Sequence, residues 1–386
     1  MSEPNAPLGV YVHVPYCPAV CPYCDFNVAV RKEPPWDDFV SAVRNELAER
    51  RPGFDGRLQS IYFGGGTPSL APPDTIATMI RAVRDSMPGE PREVTLEANP
   101  GTVTRASLEG YRAAGVSRVS LGWQSTHDRL LALLGRTHDA AASRAAAVAV
   151  REARFDAMSI DLIFGVPGQT MGDLEVDLDA VLAMSPEHVS LYGLTYHEGT
   201  PFFRARERGT VTPVDEATEA AMFTRIAERL TLAGYRHYEV SNFAKPGHEA
   251  VHNGSYWQGT PYLGLGPGAH SFMRDGWKSG VRWETVRNPE RYLATFKIAR
   301  PVGFLADATT FREELGAVDL VRERILTGLR LIDGIDLAAE PFAAFDLAAG
   351  VAVAVAQGLA RREGSRLVPT FAGRLQADTL AELVAP

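Results

Sequence analysis

Along the first 235 residues, short apolar runs of period two alternate with longer stretches of helical period. Leu8–Pro15 places Val10, Val12 and Val14 on one face and Tyr11 and His13 on the other, the pattern of a strand covered on one side. Asp37–Arg50 carries Phe39, Val40, Val43 and Leu47 on one helical stripe, and Leu58–Phe63 is a second strand that runs into Gly64-Gly65-Gly66-Thr67-Pro68. The pattern predicts further helices over Ala71–Met87, Thr104–Ala114, Ala140–Ala153, Asp173–Ala183 and Asp215–Ala233. It predicts further strands over Glu93–Ala98, Arg118–Gly122, Asp156–Ile163 and His188–Tyr196. Thr104 is placed to cap its helix and Gly115 to end it. Repeated strand–helix units imply a parallel sheet with right-handed crossovers. About six fit, fewer than the eight of a closed barrel, so the expectation is an α/β fold built on an incomplete (β/α)6 barrel.

The pattern changes after this. Residues 236–305 read as an extension that packs on the barrel. Residues 306–386 read as a small, mainly helical domain, winged-helix-like, with helices over Thr309–Leu331, Leu337–Phe345, Ala348–Glu363 and Arg374–Val384 and a strand at Leu367–Thr370.

Composition excludes some functions. A formal charge of −8 lacks the basic footprint of a general nucleic-acid binder. No run of about 18 apolar residues is present, so any membrane contact is expected to be peripheral. The opening residues lack a basic region followed by an apolar one, and the expected location is the cytoplasm.

The chain has 3 cysteines, Cys17, Cys21 and Cys24, spaced CxxxCxxC directly after the first strand. Thiolates select soft metals. A protein-held iron–sulfur cluster normally takes four cysteines, and structural zinc takes four ligands. Either a non-cysteine ligand such as His13 completes a zinc site, or one metal position is open for chemistry. The polar residues Glu97, Gln124 and Asp161 each lie at or just past the C-terminal end of a predicted strand, on the face opposite its aliphatics. With the GGGT turn and the cysteine loop they share the rim that carries active sites in parallel barrels.

CxxxCxxC with Tyr23 before the last cysteine resembles the signature of radical S-adenosylmethionine (SAM) proteins. The resemblance implies a 4Fe-4S cluster on Cys17, Cys21 and Cys24, with SAM on the fourth iron. The stretches YVHVPYC, FGGGTPS, LEANPG, GWQS, LGRTH and IDLIFGVPGQT are similar to the oxygen-independent coproporphyrinogen oxidase branch. By motif position, Tyr11, Tyr23, Gly65, Gly66, Thr67, Glu97, Gln124, Arg136 and Asp161 would contact SAM. The dehydrogenases of that branch continue to CxxxCxxCxC, where this chain has Phe26, and they carry a longer N-terminal arm.

His252-Asn253-Gly254-Ser255-Tyr256-Trp257 matches HNxxYW, and Tyr238–Gly247 and Tyr262–His270 also resemble HemW-type haem chaperones. An imidazole can ligate haem iron axially, and Tyr256 and Trp257 could stack on a porphyrin. The plainer reading is a buried loop, with His252 satisfied by a hydrogen bond and the aromatics packed as core. The resemblance implies haem b as cargo, apo-haemoproteins (respiratory-chain or haem-storage proteins) as partners, and a cluster-dependent homodimer. The enzymatic alternative is an oxygen-independent coproporphyrinogen III dehydrogenase or another SAM-cleaving tetrapyrrole enzyme. A zinc-stabilised barrel is the third.

Overall fold

The valines of the first strand are fully buried, as their alternation requires. This strand, β1 (Pro7–Val14), is followed by α1 (Trp36–Arg50), β2 (Arg57–Gly65), α2 (Pro73–Ser86), β3 (Glu93–Ala98), α3 (Arg105–Ala114), β4 (Arg118–Gln124), α4 (Ala140–Glu152), β5 (Ala157–Phe164), α5 (Met171–Met184), β6 (His188–Gly193) and α6 (Glu216–Leu232). The computed structural model describes residues 6–298 and 308–386. The boundary expected between residues 305 and 306 therefore lies outside the described residues.

Strands β1 to β6 pair in parallel in sequence order, giving the expected incomplete (β/α)6 barrel. Local chemistry agrees with the sequence at α3. Thr104 accepts from the Ser107 N–H in a reciprocal capping box, and Gly115 closes the helix at φ +103°.

The sheet continues at both edges. On one side β8 (Asn242–Ala244) pairs antiparallel with β6, and β7 (Arg236–His237) pairs antiparallel with β8 at the edge. After α7 (Val251–Trp257), β9 (Tyr262–Leu265) adds a seventh parallel strand beside β1. From it the antiparallel strands β10 (His270–Asp275), β11 (Ser279–Thr285) and β12 (Thr309–Gly316) continue the sheet outward, with α8 (Pro289–Thr295) between the last two.

Strand β12 corrects the helix expected from Thr309. Its residues pair with β11 from Ser279↔Gly316 to Thr285↔Thr309, and this edge pairing overrides a charged, helix-compatible composition. The helix that follows is α9 (Ala317–Gly328). A second hydrophobic core, from Val321 to Val384, gathers α9 with α10 (Ala348–Ala356), the antiparallel hairpin β13 (Ala360–Glu363) and β14 (Arg366–Pro369), and α12 (Ala377–Val384), while α11 (Phe371–Leu375) sets Phe371 against the barrel core. This is a small, mainly helical C-terminal unit with a hairpin wing. The single helix expected over Ala348–Glu363 stops at Ala356, because Gly358 turns the chain at φ +72°. Leu337–Phe345 keeps only a 3₁₀ turn at Phe342–Ala344.

One buried charge joins α1 to the far edge of the sheet. The Glu46 carboxylate is fully buried, with Arg50 Nε at 2.9 Å. It also accepts from Gly266 N–H at 2.8 Å, Thr285 Oγ1 at 3.0 Å and Tyr292 O–H at 2.8 Å. Arg50 in turn lies over the Trp283 and Phe296 rings. Removing one member of such a network leaves the others buried and unpaired. Glu46→Ala is expected to cost about 3–5 kcal/mol in urea unfolding; a loss below about 1 kcal/mol would contradict this role.

Candidate active site at the barrel rim

The cysteine loop is held at the C-terminal rim from several sides. Tyr16–Cys17 pairs with Ala29–Val30, and Ala29 N–H donates to Pro15 O at 2.7 Å. The Asn27 side chain donates to the carbonyls of Pro267 and Arg287, both at 2.8 Å. The glycine turn packs directly beneath. A Cβ on Gly65, which sits at φ +109°, would lie 2.5 Å from the His13 ring, and one on Gly66 would lie 2.8 Å from the Pro15 and Tyr16 backbone. These positions admit only glycine.

Thr67 Oγ1 lies 3.3 Å from Cys17 Sγ, and Arg136 Nη1 lies 3.7 Å from Cys21 Sγ. Burial pushes the Cys17 and Cys24 thiols up, Cys24 to about 11, so a bound cation is what would make them thiolates. Among the described residues, no three His, Cys, Asp or Glu side chains close around a single ion.

The loop roofs a cavity of about 1000 Å³. Tyr23, Gly65, Gly66, Thr67, Glu97, Gln124, Arg136 and Asp161 all line it with the three cysteines. Tyr23 rests against Phe202 and Arg136. Gln124 stands at φ +67° beside a register shift in β4, a strained placement for a non-glycine residue of the kind that collects at binding sites. Gln124 Oε1 and Arg136 Nε are buried without a partner, and both belong to this wall. An acceptor and a donor left open here fit a ligand with an ammonium and a carboxylate, such as SAM.

Two buried carboxylates form the inner wall. Glu97 accepts from Tyr62 O–H at 2.7 Å and Gly65 N–H at 3.1 Å. Burial outweighs these bonds, and with the nearby Asp161 charge it pushes Glu97 up to about 7. Asp161 accepts from Ser120 at 2.9 Å and Ser159 at 3.3 Å, and burial holds it at about 6. The sequence reading missed Ser120, Ser159, His188, Ser190 and Asn253, which also line this cavity. Ser120, Ser159 and Ser190 each alternate with buried aliphatics in their strands, the same signal that marks Asp161.

Tyr11 is placed elsewhere. It donates to or accepts from His13 Nδ1 at 3.0 Å and lines a smaller cleft with Tyr256. The HNxxYW segment forms the short helix α7, seated low in the barrel. Glu93, paired with Arg118 at 2.9 Å, accepts from the N–H groups of Val251 and His252 at the start of this helix. His252 is 1% exposed; its Nδ1 meets Ser60 Oγ at 2.8 Å and its Nε2 meets Tyr256 O–H at 2.9 Å. Burial pushes its pKa down to about 3. Both ring nitrogens are engaged, so as placed His252 has none free for a metal. Trp257 lines neither cavity; its carbonyl accepts from Arg324 at 2.8 Å.

The rim of parallel strand ends, with its cysteine loop and glycine turn, is that of a radical SAM protein, and the radical SAM superfamily model matches residues 11–181. The E. coli coproporphyrinogen III oxidase HemN superposes with a TM-score of 0.80 over 100% of this chain and 91% of that one, at 23% identity, a likeness of fold. The heme chaperone HemW of Mycobacterium tuberculosis is 38% identical over 98% of this chain and 94% of its own length. That of Escherichia coli is 35% identical over 85% and 83%. Bovine mitochondrial radical S-adenosyl methionine domain-containing protein 1 is 37% identical over 85% and 74%. The chain belongs to the HemW family of radical SAM proteins. Among the described residues no helix is long and apolar enough to cross a membrane.

A raised carboxyl pKa means that the folded state holds its proton more tightly than the unfolded chain. Its stabilising contribution is full below the ordinary carboxylate range and is lost as pH rises through about 6 for Asp161 and about 7 for Glu97. In cluster-free protein, Glu97→Gln should gain thermal midpoint relative to the wild type as pH rises from about 5 to about 8. Parallel pH profiles for the two proteins would contradict the assignment.

Proposed function

We propose that this chain is a haem carrier. It binds haem b and delivers it to apo-haemoproteins of the respiratory chain or of haem storage, in the cytoplasm and without turning over coproporphyrinogen. The observation that carries this reading is the near full-length likeness to a protein named heme chaperone HemW. That likeness spans the barrel together with the α7 and β9–β10 segments.

Cys17, Cys21 and Cys24 would hold a 4Fe-4S cluster, and the large cavity would hold SAM. When bound, the pair supplies one-electron reduction of a sulfonium. The chain's own residues account for binding. The Thr67 hydroxyl stands beside Cys17 and the Arg136 guanidinium beside Cys21, so each can offset thiolate charge. Gln124 Oε1 and Arg136 Nε have open valences for an ammonium and a carboxylate. Glu97 and Asp161 present acceptors to hydroxyl or cationic groups deeper in the cavity.

One observation favours a second reading, a coproporphyrinogen III dehydrogenase or another SAM-cleaving tetrapyrrole enzyme: eight of the nine residues expected to contact SAM, all but Tyr11, line one cavity with the three cysteines. Against it stands Phe26, 62% exposed at the position where those dehydrogenases have a cysteine.

The test is a paired assay on anaerobically reconstituted protein. Haem is titrated in one arm; coproporphyrinogen III, SAM and a reductant are supplied in the other. Stoichiometric haem binding with no protoporphyrinogen is the expected outcome. Protoporphyrinogen formed over many SAM-dependent turnovers would replace the carrier reading with the enzymatic one.

A further inference from the structure

His188 is a buried, titratable group in the large cavity that contact with SAM does not by itself require. It opens β6, is 2% exposed, and lines the cavity beside Ser159, its register partner on β5. Its Nδ1 lies 2.8 Å from Ser159 Oγ, and its Nε2 lies 2.8 Å from the Tyr238 hydroxyl. Ser159 Oγ in turn lies 3.3 Å from Asp161 Oδ1, and the Tyr238 oxygen lies 3.3 Å from the Ala250 nitrogen. A continuous chain of hydrogen bonds therefore runs from Ala250, the N-cap of α7, to Asp161 on the wall proposed for SAM.

The two ends fix which way the protons point. A backbone N–H can only donate, and an ionised carboxylate can only accept. The Ser159 proton therefore goes to Asp161, and the Ser159 oxygen takes the proton on His188 Nδ1. Burial and the Arg118 charge hold His188 well below the ordinary histidine range, so the ring is neutral and carries one proton. With that proton on Nδ1, Nε2 accepts from the Tyr238 O–H, whose oxygen takes the Ala250 N–H. Each group donates once to the next, and every one is satisfied. The reverse order would leave the Tyr238 proton buried with no acceptor among the described residues.

Asp161 is thus surrounded by donors on the protein side. Ser120 Oγ lies 2.9 Å from its Oδ2, and the Ser190 hydroxyl is bonded to it as well. A carboxylate offers about four acceptor sites. With three serine hydroxyls in place, the capacity that is left belongs to the cavity Asp161 lines. At the other end of the chain, α7 carries Asn253 into the same cavity, so a change in how Ala250 is held reaches a cavity-lining side chain.

We propose that His188 and Tyr238 are positioning residues: through Ser159 they hold Asp161 as an acceptor turned to the cavity, and through Ala250 they join that acceptor to the helix that carries HNxxYW. The ligand group that meets Asp161 is then a hydroxyl or an ammonium. Fixing the carboxylate orders the far end of the chain, which couples the two places without a contact between them. The inference rests on the reading of this cavity as a SAM site and adds to it a connection between that site and the motif.

The test uses full-length, reconstituted protein with nitrogen-15-labelled histidine at about pH 8, where Asp161 is ionised. The His188 ring shifts, assigned by their loss in His188→Gln, should show the Nδ1–H form in the ligand-free protein; an Nε2–H form would overturn the chain. By calorimetry, Tyr238→Phe should bind SAM about fivefold more weakly than the wild type. SAM should slow hydrogen exchange at the Ala250 amide of the wild type, and in Tyr238→Phe, with circular dichroism as a check of folding, that response should vanish. Tyr235→Phe is the control: its hydroxyl is bonded to Pro186 O, outside the chain, and it should keep both the affinity and the response. An affinity and an exchange response in Tyr238→Phe equal to those of the wild type would overturn the coupling while leaving SAM binding intact. A wild type that binds no SAM would overturn the cofactor reading and the coupling together.

Discussion

Parallel strands with helices packed on their outer faces must end on the same side, and the rim of this protein depends on that constraint. Burial of Val10, Val12 and Val14 fixes the register of β1 against β2 residue by residue, from Val10↔Ile61 to Val14↔Gly65. The cysteine loop therefore leaves β1 where the glycine turn leaves β2. A slip of one residue would turn the valines inward and point Tyr11 and His13 at the covering helices. Cys17 would then no longer meet Thr67, and Glu97 would no longer meet the Gly65 N–H.

The barrel interior is divided along its length. At the rim it is open and polar, with acceptors and donors left without partners. Lower down it is filled by rings: Tyr62 stacks against both Tyr11 and His252, which also meet each other, and Tyr256 stands edge-on to His252. The helix that carries HNxxYW enters from below, its first N–H groups fastened to the Glu93 carboxylate. A motif that reads as a ligand set thus serves first as a plug, and its tyrosine reaches the surface at the smaller cleft.

The six strand–helix units, their caps and the shared rim were legible because each rests on local periodicity or on a residue type with one conformational use. Thr104, Gly115 and the GGGT turn are examples. The parts that were not legible depend on partners distant in sequence. Strand β9 is only four residues long, too short to stand out by alternation, and it exists because β1 pairs with it. Strand β12 looks helical until the β11 edge is present. The place of His252 is set by Ser60, 192 residues away, and by Glu93, 159 away. One signal was available: a Cβ on Gly9 would lie 3.3 Å from the His252 ring, so the glycine in the first strand marks where another side chain must enter.

The most direct measurement of a carrier is the transfer itself. The reconstituted, haem-loaded protein is mixed with an excess of an apo-b-type cytochrome, and the cytochrome spectrum is followed over time with and without SAM. Haem should pass to the acceptor at a rate that rises with acceptor concentration, as hand-over within a complex requires. A rate independent of the acceptor, equal to spontaneous haem dissociation from the donor, would contradict the account, because a protein that only releases haem to solvent is not delivering it.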